Sequence, residues 1–204
     1  MELKNKLQHS DYYHKRFEGY MEKMVPKENG KGYRIERVYT AEFYHQKLSP
    51  QLRLAYRFLY ALLYLISVVL FFLASTRPTN SNLAGYVSFS SCLSILALLG
   101  LFIVMLSYMT AQRYMTIWEH YAGPVRLKGV SLLTSGLLGI QGILVVLFIL
   151  LNRDYNLGAE LLDVAVYLTS SLTIFVINRI EKKISYEIIP NTNVPLRGGY
   201  YIDF

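Results

Sequence analysis

Two carboxylates, Glu160 and Asp163, stand about one helical turn apart inside an apolar run that extends from Leu157 to Asn178. A carboxylate in apolar surroundings can hold a proton, pair with a base or bind a small cation, and at membrane depth such a group faces protein or water rather than lipid. Helical rise from a start near Asn156 puts Glu160 about 6 Å and Asp163 about 10 Å into the run. The positive N-terminal end of a helix is enough to account for Glu160. Asp163 lies deeper and needs polar company.

Tyr167 follows one turn after Asp163, and the same depth in three other apolar runs holds Ser67, then Ser91 and Ser94, then Gln141. The candidate polar cluster inside the membrane is therefore Asp163, Tyr167, Gln141, Ser91, Ser94 and Ser67. It reads in two ways. One is an interhelical hydrogen-bond network, worth about 0.6–2 kcal/mol per contact. The other is a site for a proton, a small cation or a lipid headgroup.

Elsewhere the chain offers little chemistry. Asn29-Gly30-Lys31-Gly32 lacks the spacing of a phosphate loop, and neither His-Glu-x-x-His nor Gly-x-Ser-x-Gly occurs. His9, His14, His45 and His120 are scattered singly, and Cys92 is the only cysteine, which excludes an intramolecular disulfide and a Cys-based metal cage. The expectation is a non-enzymatic protein with no cofactor and no metal site.

The elements that must position the cluster are four apolar runs, expected as spans at about 54–74, 85–110, 129–151 and 157–178, each long enough for the ~30 Å hydrocarbon layer of a bilayer. Helices apolar on every face could not be covered by the few residues left over in 204, so a soluble core is excluded. The fold expected is an all-α membrane protein: residues 51–179 form a four-transmembrane-helix bundle of two antiparallel hairpins, with a cytoplasmic N-terminal arm (1–50) and C-terminal tail (180–204). No internal repeat supports an inverted-repeat transporter.

The net charge of +7 is explained by its distribution. Nineteen of the 21 Lys and Arg fall at or before Arg57 near the start of the first span, between spans two and three or after span four; Arg77 and Arg153 alone fall in the other loops. That bias places both termini in the cytoplasm, and a compact chain with minimal outer loops leads to the expectation of a cytoplasmic membrane. The arm up to Arg57 mixes seven acids with its twelve bases, which argues against nucleic acid as a partner and weakens any tether to phosphates through charge alone. Interfacial anchors are expected at Arg53, Arg57, Trp118, Arg126, Lys128 and Arg179.

Outside the spans, Met1–Lys23 reads as a short helix broken by Pro26, and Tyr33–Thr40 alternates as a strand whose mate is Ser185–Ile189 or Tyr200–Phe204. Ala41–Leu48 and Arg113–Tyr121 read as helices lying in the interface, the second stopped by Gly123-Pro124. Tyr56, Tyr60 and Tyr64 make a stripe on span one. Ser88, Ser91, Ser94, Ala97 and Gly100 on span two, and Gly129, Ser135, Gly136, Gly139 and Gly142 on span three, make close-packing faces. The expected function is that of an accessory or scaffold subunit whose cytoplasmic arms dock another membrane or cytoplasmic protein, or a second copy. The alternative is a small transporter or lipid-handling protein working through Asp163.

Overall fold

The computed structural model describes residues 16–27, 32–152 and 156–191. The chain divides into two compact units, one made of Leu48–Thr110 and Ala122–Ile184, the other of Met1–Lys47, Ala111–Tyr121 and Ser185–Phe204.

The first unit is helical. Its elements are α1 (Pro50–Ser75), the single-turn α2 (Asn80–Leu83), α3 (Gly85–Thr110), α5 (Arg126–Leu151) and α6 (Leu157–Lys183). The four long ones are long and apolar enough to cross a membrane. Local chemistry sets their starts. Ser49 accepts the Leu52 N–H at 3.3 Å, Pro50 stands where a missing N–H costs nothing, and Asn156 accepts the Ala159 N–H at 3.3 Å.

Close approach is built on serines and glycines. Between α1 and α6, the Ser67 and Ser170 hydroxyls lie 2.8 Å apart and each also donates to the other's carbonyl. Ser135 of α5 and Ser171 of α6 repeat that reciprocal pair. Thr134 donates to the Ala97 carbonyl of α3 at 3.2 Å, and the Tyr64 hydroxyl of α1 donates to the Leu98 carbonyl at 3.2 Å. The surface is the reverse of a water-soluble domain. Phe58, Leu96, Ile103, Leu133, Ile143 and Leu172 face outward, while Ser67, Ser94, Thr134, Gln141, Asn178 and Glu181 are buried. With lipid outside, burying apolar side chains gains nothing, and interhelical contact rests on fit and hydrogen bonds.

The second unit corrects the all-α expectation: the protein is mostly helical but carries two small sheets. Strands β1 (Tyr20–Pro26) and β2 (Tyr33–Tyr39) pair antiparallel. Strand β3 (Phe43–Gln46) is the centre of a three-stranded sheet, between β4 (Tyr114–Met115) and β5 (Tyr186–Ile189). The strand expected at Tyr33–Thr40 is present, but its mate is β1, where a helix running to Lys23 was expected. The tail strand at Ser185–Ile189 is also present and pairs with β3, not with β2. Residues 1–15 and the other proposed mate, Tyr200–Phe204, lie outside the described residues.

The interfacial helix expected at Ala41–Leu48 is replaced by β3, because two partners distant in sequence satisfy its backbone from both sides. The helix expected over Arg113–Tyr121 is split. Thr116 caps a new turn, α4 (Ile117–His120), through a reciprocal box with Glu119, and a π turn follows at Tyr121–Val125.

Tyr39 holds this unit together. It is buried, its ring packs on Tyr20 and Phe43, and its hydroxyl donates to the Glu42 carbonyl at 2.7 Å while accepting the Ile117 N–H at 3.2 Å. Burial pushes its phenol above the ordinary range. At Gly19, with φ of 84°, an added Cβ would lie 2.6 Å from the Ala41 Cβ, so both backbone and space require glycine.

The small residues of α5 divide by face. A Cβ on Gly142 would meet the Leu168 side chain at 3.0 Å, and one on Gly139 the Ser171 Oγ at 3.3 Å, whereas Gly129 and Gly136 face open space. Gly142→Leu overfills the α5–α6 contact and should cost about 1–3 kcal/mol. A lowered melting temperature in detergent for Gly142→Leu, beside an unchanged one for Gly136→Leu, is the expected result.

Candidate functional site

Chain reversal after α1 creates the site. Thr76 closes the helix by donating its hydroxyl to the Phe72 carbonyl at 2.7 Å. Asn82, on α2, then folds the loop back: its Nδ2 donates to the Ala74 carbonyl at 2.8 Å and to the Arg77 carbonyl at 3.1 Å. This presents the donors of residues 77–82 to the start of α6.

Asp163 is fully buried and surrounded by that loop. The Arg77 Nη1 donates to its Oδ1 at 3.0 Å; the Thr79 hydroxyl donates to its Oδ2 at 2.8 Å, with Asn82 Nδ2 3.5 Å from the same oxygen. Glu160, expected at the interface, is also buried, at 1% exposure. The Ser81 N–H donates to its Oε1 at 3.2 Å and the Ser81 hydroxyl to its Oε2. Each acid therefore has both oxygens engaged. A buried carboxylate is tolerable when a charge partner and hydrogen bonds satisfy its lone pairs, and Asp163 has both. Glu160 has the first turn of α6 and the Ser81 pair.

The network continues inward from Asn82. Its Oδ1 accepts the Tyr167 hydroxyl at 3.1 Å, and that hydroxyl also interacts with the Gln141 and Ser91 side chains. Gln141 Nε2 donates to the Ser91 Oγ at 2.7 Å and the Val87 carbonyl at 3.2 Å. Four expected members, Asp163, Tyr167, Gln141 and Ser91, thus meet in one chain of contacts. Ser67 belongs instead to the α1–α6 serine pair, and Ser94 is buried with no hydrogen-bond partner on its Oγ. The Gln141 Oε1 likewise has none.

Arg77, Thr79, Ser81 and Asn82 were missing from the expected cluster. Their signal was the density of donors in Thr76–Asn82 directly after an apolar run. A second omission lies at the other end of α6. Glu181, fully buried, accepts the Tyr60 hydroxyl at 3.0 Å. Asn178 on the same face donates from Nδ2 to the Ser131 Oγ at 3.2 Å and to the Lys128 carbonyl. Glu181 follows Asp163 by 18 residues, a whole number of turns at 3.6 per turn, so the shared face was readable had the span been carried past Asn178.

The expected anchors differ in setting. Arg57 is part-buried, with Nη2 donating to the Tyr108 carbonyl at 3.4 Å, and Arg179 is exposed with its guanidinium 5.5 Å from the Phe175 ring. Arg126 is exposed, Arg53 and Lys128 are part-exposed, and Trp118 belongs to the second unit, its ring 6.1 Å from that of Tyr121. Among the described residues, no group of three His, Cys, Asp or Glu could hold a metal ion.

Chemically, the arrangement is a latch: a loop bearing one guanidinium and several hydroxyl and amide donors closes over two acids. Removing the base strands a buried charge. Arg77→Met should destabilise by about 2–4 kcal/mol, below the full range for a buried pair because the arginine is 32% exposed. Asp163→Asn in the Arg77→Met background should recover part of that loss. A double-mutant cycle in thermal denaturation checks both, and additive losses would contradict the pairing.

Comparison of the chain with protein-family models, with curated proteins and with solved structures gives no match, so any functional reading stands on this geometry and on the sequence.

Proposed function

We propose that the protein is a non-enzymatic accessory or scaffold subunit of the cytoplasmic membrane, whose cytoplasmic segments dock another membrane or cytoplasmic protein. In this reading α1 with α3, and α5 with α6, are two antiparallel hairpins, and both termini lie on the basic-rich cytoplasmic side. The observation that carries it is the enclosure of the buried Asp163 and Glu160 by the loop that follows α1. Their oxygens are engaged by Arg77, Thr79, Ser81 and Asn82, as in a structural closure. A coupling carboxylate needs an oxygen open to its ion or proton, and here the loop takes that place.

The second unit supplies docking surface. It is assembled from three separated segments, and β5 forms an edge of its sheet with Ile188 52% exposed. Among the described residues no strand pairs on the outer side of β5, and such an edge with an exposed apolar side chain suits strand addition by a partner. The alternative, a transporter or lipid-handling protein, is favoured by the unpartnered, buried Gln141 Oε1 and Ser94 Oγ, which leave acceptors for water or a headgroup.

Two measurements separate these readings. Tagged protein purified from its native membrane in mild detergent should bring down a stoichiometric partner, lost on deleting residues 1–48 while the bundle still purifies. Reconstituted in liposomes, it should show no ion flux or lipid scrambling that Asp163→Asn abolishes. Flux abolished by Asp163→Asn but not by Glu160→Gln would replace the scaffold with the transporter.

A further inference from the structure

Two polar atoms on neighbouring helices, Gln141 Oε1 on α5 and Ser94 Oγ on α3, have no hydrogen-bond partner among the described residues, and both side chains are fully buried. Stripping a polar atom of water without replacing the bond is costly, and in folded proteins such atoms are met by protein or by ordered water.

The Gln141 amide has one orientation. Its Nε2 donates to the Val87 carbonyl at 3.2 Å and to the Ser91 Oγ at 2.7 Å. Turned over, the amide would set its oxygen against the Val87 carbonyl, acceptor against acceptor. The oxygen therefore stays on the side away from that carbonyl. Ser94 is the exception within its own helix. The hydroxyls of Ser91, Ser107 and Thr110 each donate to the carbonyl four residues back, at 3.1, 3.3 and 2.9 Å, as serine and threonine do in helices. Ser94 makes no such bond, so its hydroxyl is turned away from its own backbone.

Contacts across the α3–α5 seam bracket Ser94. Gln141 meets Val87 and Ser91, and Thr134 donates to the Ala97 carbonyl at 3.2 Å, so residues 91–97 face residues 134–141. Ser94 stands between the two contacts, level with the fully buried Leu138. It lies three residues beyond Ser91, a rise of about 4.5 Å. One water spans that distance with two hydrogen bonds of about 2.8 Å each.

The chemistry selects the ligand. An amide oxygen accepts, a hydroxyl donates or accepts, and a buried water is held by two to four such groups. A headgroup phosphate or ammonium would lie among residues 91–97 and 134–141, none of which is charged.

We propose that a water molecule is held between α3 and α5, donating to Gln141 Oε1 and bonded to Ser94 Oγ. It joins Ser94 to the chain of contacts that runs from Asp163 through Asn82 and Tyr167 to Gln141. The two atoms that favour a lipid-handling role then become fixed parts of the bundle. The site stands whether or not the protein docks a partner.

The test is hydroxyl-radical footprinting of the full-length protein in nanodiscs. Brief radiolysis makes radicals from internal as well as bulk water, and mass spectrometry reads oxidation residue by residue. Leu138 and Leu101 are the probes, both leucines and both fully buried, with Leu101 about two turns beyond Ser94 on α3. Leu138 should be oxidised several-fold faster than Leu101 in the wild type. Gln141→Met, which keeps the side-chain length and removes the acceptor, should bring Leu138 down to the Leu101 rate, and Ser94→Ala should slow it as well. Melting temperatures report whether each variant is folded. Ser94→Ala leaves the Gln141 contacts to Val87 and Ser91 in place, and it carries the test alone where Gln141→Met does not fold. Equal rates at Leu138 and Leu101 in the wild type would overturn the proposal. So would a fast Leu138 that either folded variant fails to slow, because the pair would then not be what holds the water.

Discussion

The ion pair between Arg77 and Asp163, with the hydrogen bonds around it, is the constraint on which the helical unit depends. Asp163 is fully enclosed, and a carboxylate removed from water without a partner would cost several kcal/mol. Its partners all come from the reversal between α1 and α3. The same contacts therefore neutralise the acid, fix the loop and hold the start of α6 against the end of α1. Asn82 extends the arrangement inward by linking two loop carbonyls to Tyr167.

From that end α6 serves as the common partner of α1 and α5. Ser170 meets Ser67 on one side, and Ser171 meets Ser135 on the other. Adjacent serines on one helix thus serve two neighbours, and small residues across from them let the backbones approach. Further along the same face, Ile174 and Ile177 are fully buried before the polar character returns at Asn178 and Glu181. Buried polar groups in a lipid-facing bundle are specific contacts, because the surrounding apolar surface favours no particular arrangement of helices.

The spans were legible because hydropathy over some twenty residues is a strong signal, and the four helices begin and end within about five residues of the expected bounds. Stopping the last span at Asn178-Arg179 hid Glu181, which continues the helix by less than a turn. Asp163 and Tyr167 were legible from depth alone, whereas Glu160, expected at the interface, is buried. Arg77, Thr79 and Asn82 were not legible, since a loop that folds back over a helix end is set by tertiary contacts. The strands show the same limit. The alternation in Tyr33–Tyr39 marked a strand, but its mate is fixed by register across a turn. The four residues of β3 are too few for a period of two to be told from one of 3.6.

The central claim is that residues 79–82 are held closed on the carboxylates of α6, and amide hydrogen exchange of the reconstituted protein reads this directly. The Ser81 N–H, donating to Glu160, should exchange slowly in the wild type and fast once Asp163→Ala releases the loop, with the middle of α3 unaffected. Exchange across residues 79–82 as fast in the wild type as in an unstructured peptide would contradict it.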